Sequence, residues 1–227
     1  MSTASVRPTL LLVHGAWHRS SCWAKLREAL AARGWESQVV DLPSAGAGIR
    51  TAGVHEDARV IGERLRQIDG PVAVISHSYS GLPVTQEAGE HPNVTRLVYI
   101  AAYLPDEGQS MYDLHGIPVP DDLSGNFPLI DNPRVSLYGD LPDDEAEHAV
   151  GELVEQSRRS FAERVTGAAW KTIPTTYILC EKDHAIPPSL QETMSARAAN
   201  VERLSSNHSP FLSAPGDVAT LLEKILS

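Results

Sequence analysis

A serine, an aspartate and a histidine each stand where an apolar run of the chain ends. Ser78 lies in Ser76-His77-Ser78-Tyr79-Ser80-Gly81, where the run that begins at Val72 gives way to a helical pattern. A hydroxyl lifted on so sharp a strand-to-helix turn has the form of a nucleophile elbow, G-x-S-x-G, with serine at both glycine positions. The turn requires small residues two before and two after the nucleophile, so that strand and helix can approach closely. A hydroxymethyl group meets that requirement. The turn also aims a helix amino terminus at the oxyanion that forms when the hydroxyl attacks a carbonyl. Small-residue turns also arise for packing alone, so the motif gains weight only from its partners.

A serine hydroxyl needs a base, and the base needs a carboxylate to fix its tautomer. Behind an elbow of this kind the chain order is Ser, then Asp or Glu, then His. Glu181-Lys182-Asp183-His184 follows the run Thr175–Cys180, and Ser205-Ser206-Asn207-His208 follows Val201–Leu204. Ser78, Asp183 and His208 are therefore the expected nucleophile, acid and base. Asp106, after Leu97–Ala102, is the alternative acid, and Glu181 is a weaker one. His77 should point away from the nucleophile, and His184 adjoins Asp183 too closely to be oriented by it.

An oxyanion also needs two N–H groups, one from the residue after the nucleophile and one from the loop after the first strand. Tyr79 and Ala16, the latter in His14-Gly15-Ala16-Trp17, hold those positions. His14 itself reads as a structural loop histidine. His14 and His18 have H-x3-H spacing but no third ligand nearby, so no metal is expected. Gly46-Ala47-Gly48 lacks the third glycine of a dinucleotide fingerprint, and no cofactor is expected.

These residues must be positioned by strands buried on both faces. Continuous apolar runs at Thr9–Val13, Ser37–Leu42, Val72–Ile75, Leu97–Ala102, Thr175–Cys180 and Val201–Leu204 have that character. Helical stripes lie among them: Trp23, Leu26 and Leu30, with Ser20 or Ser21 as cap and Gly34 as stop; Ile61, Leu65 and Ile68; and Val218, Leu221, Leu222 and Ile225 behind Pro215. Alternation of this kind means crossover connections and an α/β fold with a mostly parallel sheet.

From Pro105 to about Thr172 the alternation stops. A Pro-, Gly- and Asp-rich stretch is followed by a helical section expected over about 143–164. The whole reads as an insertion folded over the carboxyl ends of the strands, where open α/β sheets bind ligands. Trp17 and Tyr103, with the insertion's Tyr112, Phe127, Tyr138 and Trp170, are the expected substrate-contacting aromatics. Residues 105–170 carry 14 acidic against 4 basic side chains, which equals the net charge of −10 of the entire 227-residue chain. An acidic segment on a neutral body argues against nucleic acid and anionic membranes as partners. With 42% apolar residues, no run of membrane-spanning length, no signal-peptide pattern and only two cysteines, a soluble cytosolic protein is expected. The sequence leaves a homodimer open.

The stretches LLLVHGAWHRSSCWAKLREALAARGWESQVVDLPSAG, SHSYSGL, LVYIAAYLPDEGQS, and PTTYILCEKDHAIPPSLQ with SSNHSPFLSAP resemble the α/β-hydrolase superfamily. Within it they resemble the branch of plant hydroxynitrile lyases, salicylate-type methyl esterases and bacterial relatives. The resemblance implies an α/β-hydrolase core at 1–104 and 171–227 with a small cap at 105–170. Only eight residues precede the first run, so the usual opening hairpin should be missing and the sheet should be a minimal six-stranded one. Carried over by position, the family's triad falls on Ser78, Asp183 and His208, and its oxyanion N–H groups on Ala16 and Tyr79.

S-selective lyases of this branch carry threonine in place of Gly15 and lysine in place of Ser209, and R-selective ones carry asparagine in place of Gly15. Without the lysine no fixed cation faces a leaving cyanide, so an esterase pattern fits better. Three readings follow: a serine hydrolase of a small, neutral ester; a lyase or cofactor-free enzyme using His208 as base; and a non-catalytic small-molecule receptor.

Overall fold

The structure, a computed structural model, describes residues 7–227. Six strands form one sheet: β1 (Thr9–Val13), β2 (Ser37–Val40), β3 (Val72–His77), β4 (Val94–Ile100), β5 (Thr175–Cys180) and β6 (Asn200–Leu204). Their order is β2-β1-β3-β4-β5-β6, and every neighbouring pair is parallel. The apolar runs are continuous because both faces are covered. Leu11, Val13, Val74, Leu97, Tyr99, Tyr177 and Leu179 enter one core layer, and Leu10, Leu12, Ala73, Ile75, Val98, Ile100 and Ile178 enter the other.

Helices α1 (Ala24–Ala31), α2 (Val54–Arg66), α3 (Gly81–Glu87), α4 (Pro188–Ser195) and α5 (Pro215–Leu226) complete the layers. α2 and α3 lie on one face, while α1 and α5 pack together on the other. Among the described residues no helix is long and apolar enough to cross a membrane.

Several boundaries differ from the expected ones for identifiable reasons. β4 starts at Val94, because Val94 and Arg96 find parallel partners in Val72 and Ala73, and it stops before Ala101, whose φ is +42°. Neither Ser20 nor Ser21 caps α1. A 3₁₀ turn at Ser20–Trp23 precedes it, and the Ser20 N–H donates to Asp41 Oδ1 at 2.7 Å. The helix expected over 143–164 is broken in two, Asp143–Gly151 and Arg158–Ala162, by an extended strip at Glu155–Ser157. That strip pairs antiparallel with Ala45–Gly46 and with Asn126–Phe127, contacts that only extended backbone could make. Residues of this segment (Met111, Phe127, Ile130, Leu137 and Phe161) line a cavity whose floor is the carboxyl end of the sheet.

Candidate active site

The elbow is built as its residue types require. Ser78 follows β3 with φ +54°, in the left-handed region that a non-glycine residue occupies only when its surroundings hold it there. Ser80, standing at a glycine position, is used by the turn itself. Its Oγ accepts from the His77 N–H at 2.9 Å and lies 2.8 Å from the carbonyl oxygen of Val13. Gly81 is the glycine the site cannot exchange: a Cβ there would lie 1.9 Å from the Tyr103 carbonyl oxygen. The Tyr103 N–H in turn donates to the Ser78 carbonyl at 3.0 Å, tying the loop after β4 to the elbow.

Asp183 and His208 leave the ends of β5 and β6 and meet. His208 Nδ1–H donates to Asp183 Oδ2 at 2.7 Å, with both side chains buried. Asp183 Oδ2 also accepts from Gln191 Nε2 at 2.9 Å, and Oδ1 accepts from the N–H groups of Ala185 and Ile186 at 2.7 and 2.9 Å. A carboxylate with four donors is fixed in orientation. His208 Nε2 is thereby left for the cavity, which it lines together with Ser78. Asp106, the alternative acid, lies at the surface instead, 2.6 Å from Lys171 Nζ.

His77 is engaged with the loop that carries His208. Its Nε2–H donates to the His208 carbonyl oxygen at 2.9 Å, and its ring centroid lies 4.6 Å from that of His208. The same ring fills the space beside Gly15, where a Cβ would come within 2.9 Å of both His77 Nδ1 and Ser78 Cβ. Burial holds the His77 imidazole well below its usual pKa, so it stays neutral.

Ala16 lines the cavity and Tyr79 directly follows Ser78 in the turn; among the described residues neither N–H donates to a backbone acceptor in a loop or turn. His14 is structural: Nδ1–H donates to the Gly15 carbonyl at 2.8 Å and Nε2 accepts from the Leu42 N–H at 3.0 Å.

The cavity holds about 180 Å³ and is lined mainly by apolar side chains. Of the six aromatics expected to contact substrate, Trp17, Tyr103 and Phe127 line it. The other three stand elsewhere. Tyr112 packs edge-on behind Phe127, with ring centroids 6.5 Å apart. Tyr138 donates its hydroxyl to His18 Nε2 at 2.8 Å and faces a separate cavity of about 260 Å³, bordered by Cys22, Leu141 and Leu153, which touches neither Ser78 nor His208. Trp170 donates its indole N–H to the Pro105 carbonyl at 2.8 Å and so joins the two ends of the inserted segment.

The lining residues Met111, His115, Ile130, Leu137, Phe161, Ala185 and Ile186 were not expected from sequence. No local pattern distinguishes them from ordinary core residues. Gln191 could have been suspected, since it lies one helix turn inside α4 and directly after the acid loop.

A model of the alpha/beta hydrolase family matches residues 10–221. The chain is 30% identical over 235 residues to a probable hydrolase of Phoma sp., an alignment that covers 93% of this chain and 96% of that protein. It is 25% identical over 262 residues to Methylesterase 1 of Arabidopsis thaliana, covering 99% and 98%. An extracellular alpha/beta-hydrolase from a Paenibacillus species has the same fold, with a TM-score of 0.83 at 18% identity and coverage of 96% and 98%. This chain belongs to the alpha/beta hydrolase family.

Proposed function

We propose that the protein is a serine hydrolase of carboxylesterase type, acting on a small ester with a compact apolar acyl or aryl part. One observation supports this above all: a serine held at positive φ and a histidine oriented by a buried, fourfold-bonded carboxylate open onto the same apolar cavity. Ser78 Oγ attacks the ester carbonyl while His208 Nε2 takes its proton, and Asp183 keeps Nδ1–H oriented and stabilises the imidazolium. The N–H groups of Ala16 and Tyr79 hold the negative oxygen of the tetrahedral intermediate. His208 then gives its proton to the leaving alkoxide, and the alcohol departs. Water, deprotonated by His208, attacks the acyl group on Ser78, and collapse of the second intermediate frees the acid.

Residues 105–170 act in this reading as a cap, and their apolar lining selects the acyl or aryl part. The absence of room for a side chain at Gly15, and Ser209 in place of a lysine, support ester hydrolysis over cyanohydrin cleavage. The unpaired thiols Cys22 and Cys180 suit a cytosolic setting.

A fluorophosphonate probe tests the mechanism, with a panel of methyl, aryl and lactone esters assayed beside it. The expected result is one covalent addition at Ser78 together with turnover of at least one ester. Labelling without turnover of any ester would favour a lyase or a receptor, and absence of labelling would remove the serine mechanism.

A further inference from the structure

The loop that carries Ala16 is fixed peptide by peptide. The Gly15 carbonyl is held by His14 Nδ1–H at 2.8 Å, and the Ala16 carbonyl by His18 Nδ1–H at 2.7 Å. A trans peptide is planar, so pinning the Gly15 carbonyl also fixes the direction of the Ala16 N–H on the opposite side.

Trp17 is the costly residue of this loop. Its φ of +60° is a conformation that a bulky side chain takes at a cost of about 1–3 kcal/mol. Both of its backbone polar groups are gripped from the inserted segment: the Trp17 carbonyl accepts from the Val154 N–H at 2.8 Å, and the Trp17 N–H donates to Gln156 Oε1 at 3.2 Å.

Gln156 then continues the chain of bonds. Its Nε2 donates to Ser44 Oγ at 2.9 Å and to Ser160 Oγ at 2.7 Å. Ser44 Oγ donates to Asp57 Oδ2 at 2.5 Å, and the Tyr79 hydroxyl donates to that oxygen at 2.6 Å. An unbroken series of hydrogen bonds thus runs from the peptide beside one oxyanion N–H to the side chain of the residue that carries the other. Ser44, Asp57, Tyr79, Gln156 and Ser160 are all fully buried, so water does not replace a bond that is lost.

We propose that Gln156 is a positioning residue for the oxyanion hole: by binding the Trp17 N–H and, through Ser44 and Asp57, the Tyr79 side chain, it sets the spacing of the Ala16 and Tyr79 N–H groups. The inference rests on the serine-hydrolase reading. It makes the inserted segment a determinant of rate as well as of substrate shape. Gln156 touches no reacting atom, so its removal should act on the transition state and leave ground-state binding alone.

The test is Gln156→Met, which keeps side-chain length and removes the polar contacts, with Ser160→Ala as a milder variant that deletes one acceptor. Loss of a direct oxyanion donor costs about 10²–10³ in kcat, and misplacing one should cost less. Gln156→Met should therefore lower kcat for a turned-over ester by about 10- to 100-fold with KM within about threefold. It should slow phosphonylation of Ser78 by a similar factor, since that reaction also develops an oxyanion. Ser160→Ala should move both rates in the same direction by about two- to fivefold. An unchanged kcat and labelling rate in folded Gln156→Met, or a raised KM at constant kcat, would overturn the positioning role while leaving the serine mechanism intact. A wild-type enzyme that the probe does not label would instead overturn the serine reading, and the inference with it.

Discussion

The floor and the roof of the Ser78 cavity are built on different terms. The floor is a set of strand-end turns tied by specific bonds and close contacts: Asp183 receives four donors, His77 holds the His208 carbonyl, and Gly81 is pressed against Tyr103. The roof is a patchwork of short helices and two- or three-residue strands that contributes the apolar Met111, Phe127, Ile130, Leu137 and Phe161, with His115 beside them. Yet the roof also holds the floor's loops. Gln156 and Val154 hold Trp17, and Asp140 Oδ2 accepts from the Asn207 N–H, next to His208, at 2.8 Å. Under the proposed function, chemistry is lost by touching the floor, whereas selectivity and rate are tuned from the roof.

Removing floor residues should therefore have the largest effects. Ser78→Ala and His208→Ala should each keep the fold and lower ester turnover by about 10⁴-fold or more, because triad members act as a unit. Activity within tenfold of wild type in either variant would break the assignment. Asp183→Asn should come next, at about 10³- to 10⁴-fold, because an amide would set a donor against donors now shared by one carboxylate and would disturb the His208 tautomer. Asp106→Asn is the control. Its carboxylate is at the surface with Lys171, and turnover should stay within about twofold. The reverse ranking would move the acid to the end of β4.

Acid should also separate the two regions. Burial holds His14 and His18 down to about 4 and His77 well below its usual range, whereas the unfolded chain protonates such rings near 6.5. Between about pH 4 and 6.5 the unfolded state binds more protons at these sites, so stability is lost as pH falls through that window. Asp57 opposes this: burial pushes its carboxyl up to about 7, so the fold keeps a proton that the unfolded chain releases near ~3.9. Three histidines outweigh one carboxyl. Denaturant midpoints should fall between pH 6.5 and 4, and Asp57→Asn should steepen that fall by removing the opposing group. A flat profile in wild type would mean that the three rings are hydrated and free to protonate.

The floor was legible in the sequence because its residue types are dictated by backbone geometry. Ser78, Asp183 and His208 each follow an apolar run, and β1, β3 and β5 end within two residues of the expected points. The roof was not, because its residues answer to long-range contacts. Tyr138 and Trp170 looked like substrate contacts, but their hydroxyl and indole N–H went to His18 and Pro105, 120 and 65 positions away. Gln156 sits in an acidic, helix-like stretch, and nothing local marks it as buried. Its partners Trp17 and Ser44 are 139 and 112 positions distant. Helical periodicity failed there for the same reason, since the Glu155–Ser157 strip is extended only because Ala45–Gly46 and Asn126–Phe127 lie on either side.

Within the roof, residues that line the cavity should matter more to substrate than those that do not. Phe127→Ala should raise KM for an aryl ester by about tenfold while changing kcat less, since it removes apolar surface from the cavity wall. Trp170→Phe keeps an aromatic ring but loses the bond to Pro105 and part of the indole surface, so KM should stay near wild type, with a stability loss of about 1 kcal/mol or more. Equal KM effects would mean that the roof rearranges on binding and that the lining seen here does not select.

The smallest expected effect concerns the charge of the roof. Its net −10 should repel anions from the cavity mouth: the pairs of Asp113 with Arg164, Asp143 with Arg134 and Glu163 with Arg159 are already counted in it, and from outside the segment Lys25 pairs with Glu145 and Lys171 with Asp106. What remains acts over a Debye length of about 10 Å at 0.1 M salt and about 3 Å at 1 M. Raising the salt concentration between those values should improve kcat/KM for an ester with an anionic acyl part by about two- to fivefold and leave its neutral isostere nearly unchanged. If both esters respond alike, the acidic face has no part in selection, and the roof's influence on substrate reduces to the shape and apolarity of its inner wall.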